Sequence, residues 1–145
     1  TVTRAMIVTI LHRLENAPPS AASGFTDVAA GMYYADAVDW AAANGIVNGV
    51  SETAFAPDDP ITREQMAAIL YRYAQFKGYD VTASADLGAY TDAAQISAYA
   101  TTAMQWANEN GLITGNTGTT LNPKGHATRA EAATILMRFC QDTAA

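Results

Sequence analysis

Arginine is the side chain in this sequence best equipped to bind something, and its spacing is regular. The lysines are Lys77 and Lys124, and the arginines fall into three pairs nine residues apart: Arg4 and Arg13, Arg63 and Arg72, Arg129 and Arg138. The first of each pair follows a threonine and opens a stretch with helical patterning. If Thr62 is an N-cap, Arg63 occupies the first helical position, where free amides and the helix dipole are already positive. A cation there forfeits ~0.3–1 kcal/mol. The same misplacement occurs at Thr3-Arg4 and Thr128-Arg129. A helix start attracts anions, and a guanidinium fork beside it can hold a carboxylate through two parallel bonds. Arg4, Arg63 and Arg129 are therefore expected to await an acidic ligand, and Arg63, three residues before Met66 on an apolar stripe, should lean into a cleft. The competing reading is a strut, in which each arginine pairs with an acid such as Asp27, Asp58, Asp59 or Asp92 and fastens one repeat to another. Arg13, Arg72 and Arg138 lie toward helix C-termini, where the dipole favours them.

Other chemistries find less support. His12 and His126 each occur in one copy of the repeat described below, so a histidine-based triad or metal cluster is not built. Asp58 and Asp59 are adjacent and do not define two faces of a glycosidic bond. Neither a calcium-loop spacing nor a phosphate-binding glycine motif is present. No metal, no cofactor and no catalytic residue are expected. A net charge of -6 argues against nucleic-acid binding. No apolar run approaches the ~18–20 residues of a bilayer span. The chain opens with Thr-Val-Thr-Arg-Ala-Met, so a targeting segment is expected to have been removed or to lie outside this fragment. Cys140 has no partner for a disulfide and is expected to face the core.

The elements that would position these arginines repeat. Phe25-Thr26-Asp27 returns as Tyr90-Thr91-Asp92. Trp40-Ala41, Asn44-Gly45-Ile46 and Gly49 return as Trp106-Ala107, Asn110-Gly111-Leu112 and Gly115, while Pro57, Thr62 and Arg63 return as Pro123, Thr128 and Arg129. Residues 3 to 14 match the last part of this unit, giving about two and a fifth copies. Each full copy reads as two helices. The first runs roughly over 33–44 or 95–110 and ends in an Asn-Gly Schellman stop. The second carries Met66, Ile69, Leu70 and Tyr73, or Ala132, Ile135, Leu136 and Phe139, on one face, with Ile7, Ile10, Leu11 and Leu14 in the partial copy. Thr62 with Gln65 and Thr128 with Glu131 form capping boxes, of which Thr3 with Met6 keeps half. Asp27 and Asp92 are expected to cap the first helix. Phe55 and Leu121 are the inward candidates of a compact connection, and 16–24 and 78–89 read as spacers.

The order aromatic-Thr-Asp, Trp-Ala, Gly-Ile, Gly, Phe-x-Pro and Ile-Thr-Arg-Glu resembles the S-layer homology (SLH) module of bacterial cell-surface proteins, twice in this chain. The resemblance implies an all-α fold of tandem helix-loop-helix modules packed as a pseudo-threefold bundle. Its parts would be the C-terminal helix of a truncated first module at 1–15, a second module at 25–77 and a third at 90–141. It implies non-catalytic anchoring, outside the cell, to an acidic secondary cell-wall polysaccharide, often a pyruvylated amino sugar, in inter-module grooves. Arg4, Arg63 and Arg129 match the arginine associated with the ligand's carboxylate. The groove idea pairs Arg63 with Thr114 and Gly115, and Arg4 with Asn48 and Gly49, leaving Arg129 the weakest site. Trp40 and Trp106 are carried as ligand candidates able to stack on a sugar, although tryptophan among alanines at helical spacing also suits a core. Tyr33, Tyr34 and Tyr99 are further groove candidates. The alternative is a protein-interaction or lattice module meeting neighbouring surface proteins; a third possibility is a spacer for an enzyme elsewhere in the chain.

Overall fold

The computed structural model describes residues 2–115 and 119–143. Residues 116–118, in the expected second connection, lie outside the described residues. The chain divides into two compact units, Val2–Pro60 and the part beginning at Ile61. The first contains α1 (Arg4–Leu14) and α2 (Ala35–Ala43). The second contains α3 (Arg63–Phe76), short 3-10 turns at Ala93–Gln95 and Ala98–Ala100, α4 (Thr101–Glu109) and α5 (Arg129–Thr143). Extended pairing among the described residues is confined to single bridges, Thr3 with Pro60 and Thr62 with His126. The protein is all-α. Compact unit and sequence repeat are out of phase, because the helix that closes one copy packs with the helix and connection that open the next: α1 on α2, and α3 on α4.

Local chemistry sets the helix ends. Thr62 accepts the Gln65 amide at 3.2 Å while the Gln65 side chain accepts the Thr62 amide at 2.9 Å. Thr128 and Glu131 repeat this exchange at 3.1 and 3.2 Å. The box at Thr3 is also complete, contrary to expectation: the Thr3 amide donates to Met6 Sδ at 3.5 Å. A thioether sulfur is a weak acceptor, but it reaches the same place. At the other end Gly45 and Gly111, both with φ of +71°, reverse the chain. Ile46 then bonds Ala41 O at 2.9 Å and Leu112 bonds Ala107 O at 2.8 Å, the six-to-one bond of a Schellman stop.

Two boundaries differ from the sequence pattern. α2 starts at Ala35, and α4 starts only at Thr101 because Ile96 and Ser97 are extended between the two 3-10 turns. Asp27 and Asp92 do not cap these helices. Asp27 instead accepts the Phe55 and Ala56 amides at 2.8 and 2.7 Å, and Asp92 the Leu121 and Asn122 amides at 2.9 and 2.8 Å. Each carboxylate thus ties the aromatic-Thr-Asp segment to the connection after the first helix and turns Phe55 or Leu121 fully inward.

The cores follow the helical stripes with exceptions. Met66, Ile69, Leu70 and Tyr73 are buried on α3, and Ala132, Ile135 and Phe139 on α5. On α1, Ile7 and Leu11 are buried as expected, with Ala5 and Val8 beside them, while Ile10 and Leu14 are 38% and 51% exposed. Cys140 is exposed rather than core-facing, since it follows Phe139 by one residue and so points about 100° away from the buried stripe.

Burial alone would raise the Asp27 and Asp92 carboxyls, but the amide donors outweigh it and hold both below the ordinary value of 3.8. A depressed folded-state pKa contributes stability that is present above 3.8 and is lost as pH falls through the folded value. Asp27→Asn and Asp92→Asn are each expected to lower stability at pH 7 by about 1–2 kcal/mol. Both should also flatten the acid limb of a stability-against-pH curve followed by circular dichroism; an unchanged limb would mean that the carboxylates do not brace the connections.

Candidate functional site

The amides at the starts of α1 and α3 are not open. Arg63 N donates to Gly125 O at 2.9 Å and Glu64 N to Pro123 O at 3.0 Å, while Gln65 N goes to the Thr62 hydroxyl. In the other unit Arg4 N donates to Asp59 O at 3.0 Å and Ala5 N to Pro57 O at 3.0 Å. The Pro-containing turn of each connection presents two carbonyls to the helix start, so the dipole is answered by peptide oxygens. The expectation of free amides awaiting an anion is therefore corrected at Arg4 and Arg63.

The guanidinium groups are also engaged. Arg4 is buried; its Nε donates to Phe55 O at 3.0 Å, Nη2 to Asn48 O at 3.3 Å, and its carbon lies 4.7 Å from the centre of the Phe55 ring. Asn48 thus meets Arg4 through its main chain. Arg63, 8% exposed, donates from Nε to Glu131 Oε2 at 3.0 Å and pairs with the same oxygen through Nη2. Burial would raise the Glu131 carboxyl, yet the Arg63 and Thr128 donors keep it below its ordinary range. Arg63 thus has an internal carboxylate partner, Glu131 in place of the aspartates expected. Glu131 was legible as the third residue of a capping box; its second role was not. The far end of the Arg63 fork lies along the connection, where a Cβ on Gly125 would stand 2.3 Å from Asn122 Nδ2 and 2.5 Å from Arg63 Nη1.

Next to Arg63, Glu64 is 2% exposed and accepts the Ser97 amide at 3.1 Å and Lys124 Nζ at 3.2 Å. Burial pushes this carboxyl up, and the Ser97 and Lys124 donors more than reverse the effect. The cluster fastens α3 to the segment leading into α4 and keeps the Pro123–Gly125 turn in place.

An open hollow of about 250 Å³ lies in this second unit, with Arg63, Thr114, Gly115, Glu131, Thr134 and Arg138 on its polar walls and Leu112, Leu121 and Ile135 at its apolar base. Arg63, Thr114 and Gly115, which the groove idea brings together, all line this hollow. Arg138 was missed: it lies midway along α5 and donates from Nη1 to Gly111 O at 3.2 Å, so it answers the C-terminus of α4 rather than of its own helix. Arg129 is exposed and does not line the hollow. Trp40 and Trp106 are both 3% exposed: Trp40 packs on His12 and Trp106 on Tyr71 and Phe139, which makes them core residues. Tyr34 is buried, while Tyr33 and Tyr99 are exposed. Gly49 answers to its own loop, since a Cβ there would lie 2.7 Å from the Phe25 ring and against Ala54 O and Ser51 O. Gly115 has φ of +97° and a Cβ there would lie 2.8 Å from Thr120 O, so it serves its turn as well as the hollow.

The S-layer homology domain family matches residues 24–67 and 89–133, with the Asp-braced connections and threonine-capped arginines inside both matches. The chain belongs to the S-layer homology family. Similar proteins are an amylopullulanase of Thermoanaerobacterium thermosulfurigenes, 38% identical over 94% of this chain, and a surface-layer 125 kDa protein of Lysinibacillus sphaericus, 32% identical over 98%. An exoglucanase XynX of Acetivibrio thermocellus is 37% identical over 94%. The chain spans 7%, 12% and 12% of these proteins' lengths, respectively. S-layer homology domains are anchoring domains, and this one functions outside the cell, at the cell surface or wall.

Gly125→Ala is expected to push aside both the Asn122 amide and the Arg63 fork, disturbing the pair with Glu131, and to lower stability by about 1–3 kcal/mol. Asp59, the equivalent residue in the first unit, already carries a side chain, and Asp59→Ala should cost less than about 0.5 kcal/mol. Urea unfolding of both variants checks the contrast, and equal losses would mean that the side chains over Gly125 do not require a glycine there.

Proposed function

We propose that this chain holds a larger exported protein on the cell wall by taking a segment of acidic secondary cell-wall polysaccharide, of the pyruvylated amino-sugar kind, into the hollow of the second unit. The observation that carries the reading is the wall formed by Arg63, Thr114 and Gly115: a cation, a hydroxyl and a side-chain-free turn beside apolar residues. A sugar presents just these needs, with hydroxyls at its edges, a carbon face to lie on an apolar base and an acid to be neutralised. At about 250 Å³ the hollow accommodates one sugar unit of a polymer rather than a long stretch.

The anchoring is non-catalytic in this reading. The matched segment is common to proteins named for different activities and covers no more than 12% of the three described, which favours a role independent of those activities. Attached domains would supply any chemistry. Arg4 with Asn48 and Gly49 would contribute a second contact, weaker because its donors already serve Phe55 O and Asn48 O. Arg129, at an exposed helix start outside the hollow, would contribute least.

Arg63→Ala is expected to reduce retention of the chain on purified wall polysaccharide by roughly tenfold while helical circular dichroism is preserved. Loss of the helical signal together with retention would return Arg63 to a purely structural role. Wild-type binding that is unchanged after the polymer's carboxyl groups are reduced would point instead to a protein-interaction or lattice module.

A further inference from the structure

We infer that Arg138, rather than Arg63, is the group of this hollow that receives the ligand's carboxylate, and that the Arg63–Glu131 pair holds sugar hydroxyls. The inference rests on the acidic-glycan reading and assigns its charge recognition. Two arginines and one glutamate lie on the wall. Arg63 spends its Nε and Nη2 on Glu131 Oε2, and Nη1 runs along Gly125. A ligand acid approaching the Nε–Nη2 edge would meet a carboxylate already in place, and like charges at that range repel. The pair is close to neutral as a unit, with one donor end and one acceptor end, which suits hydroxyl groups.

Arg138 is placed differently. Its one described bond is from Nη1 to Gly111 O, and among the described residues no carboxylate pairs with it. That bond orients the guanidinium against the end of α4 and leaves the other edge of the fork for a ligand. It is exposed, so a ligand reaches it without dismantling the fold. Thr114, exposed and lining the same hollow, adds a hydroxyl. Of the hollow's two cations, therefore, Arg138 carries the uncompensated charge.

The probes are a carboxylate-bearing secondary cell-wall polysaccharide and the same polymer with its carboxyl groups reduced to alcohols, bound to the whole chain in calorimetry or sedimentation. Arg138→Gln is expected to weaken binding of the native polymer by roughly tenfold to a hundredfold and to leave binding of the reduced polymer within about twofold. Wild-type affinity in Arg138→Gln would overturn the assignment and give the acid to Arg63. If the wild-type chain does not distinguish the two polymers, the acidic-glycan reading fails, and the assignment with it.

Discussion

Two carbonyl oxygens in a proline turn, offered to the first two amides of a helix some sixty residues away, organise each unit of this protein. Pro57 and Asp59 do this for α1, and Pro123 and Gly125 for α3. The cost of leaving such amides unpaired in a half-buried place is about that of a lost hydrogen bond each, and the turn removes it twice per unit. Because Asp27 or Asp92 in turn grips the residues just before the turn, the aromatic-Thr-Asp segment, the connection and the helix start form one braced corner. Arginine at the first helical position then carries little dipole penalty, since the dipole is already met by oxygens.

That corner explains why the second unit can maintain a cavity. Arg63 is held at its main chain by Gly125 and at its side chain by Glu131, so α3 and α5 are linked through a single residue. Glu64, with Ser97 and Lys124, holds the neighbouring strand of chain. Two of the side chains lining the hollow, Arg63 and Glu131, thus hold each other. Preorganisation of this kind would lower the ordering cost of the proposed binding.

A surface anchor also has to withstand its surroundings by ordinary means, and here no special device is needed. The described cysteine is free and exposed, so the fold is not stapled. Stability comes from packing of alanine-rich helices around Trp40 and Trp106, from capping boxes and from carboxylates answered by backbone donors. Small residues such as Ala37, Ala41, Ala103 and Ala107 let the helices approach closely, and the two tryptophans fill the space left over. Their burial is a consequence of that geometry and removes them from sugar stacking.

How much of this was legible in the sequence divides along the range of the interactions. Repeats, helix starts with their threonine caps, Asn-Gly stops and the inward Phe55 and Leu121 are matters of residues within a few positions of one another, and local pattern determined them. So was the family, whose motifs occur in order along the chain. What only the tertiary structure decided is where distant groups meet: that the amides of α1 and α3 are spent on proline-turn carbonyls, that Glu131 is the partner of Arg63, and that Arg138 turns to the end of α4. An arginine's charge is written in its own codon, but its partner depends on which turn the chain path brings alongside it, and no periodicity in the sequence records that.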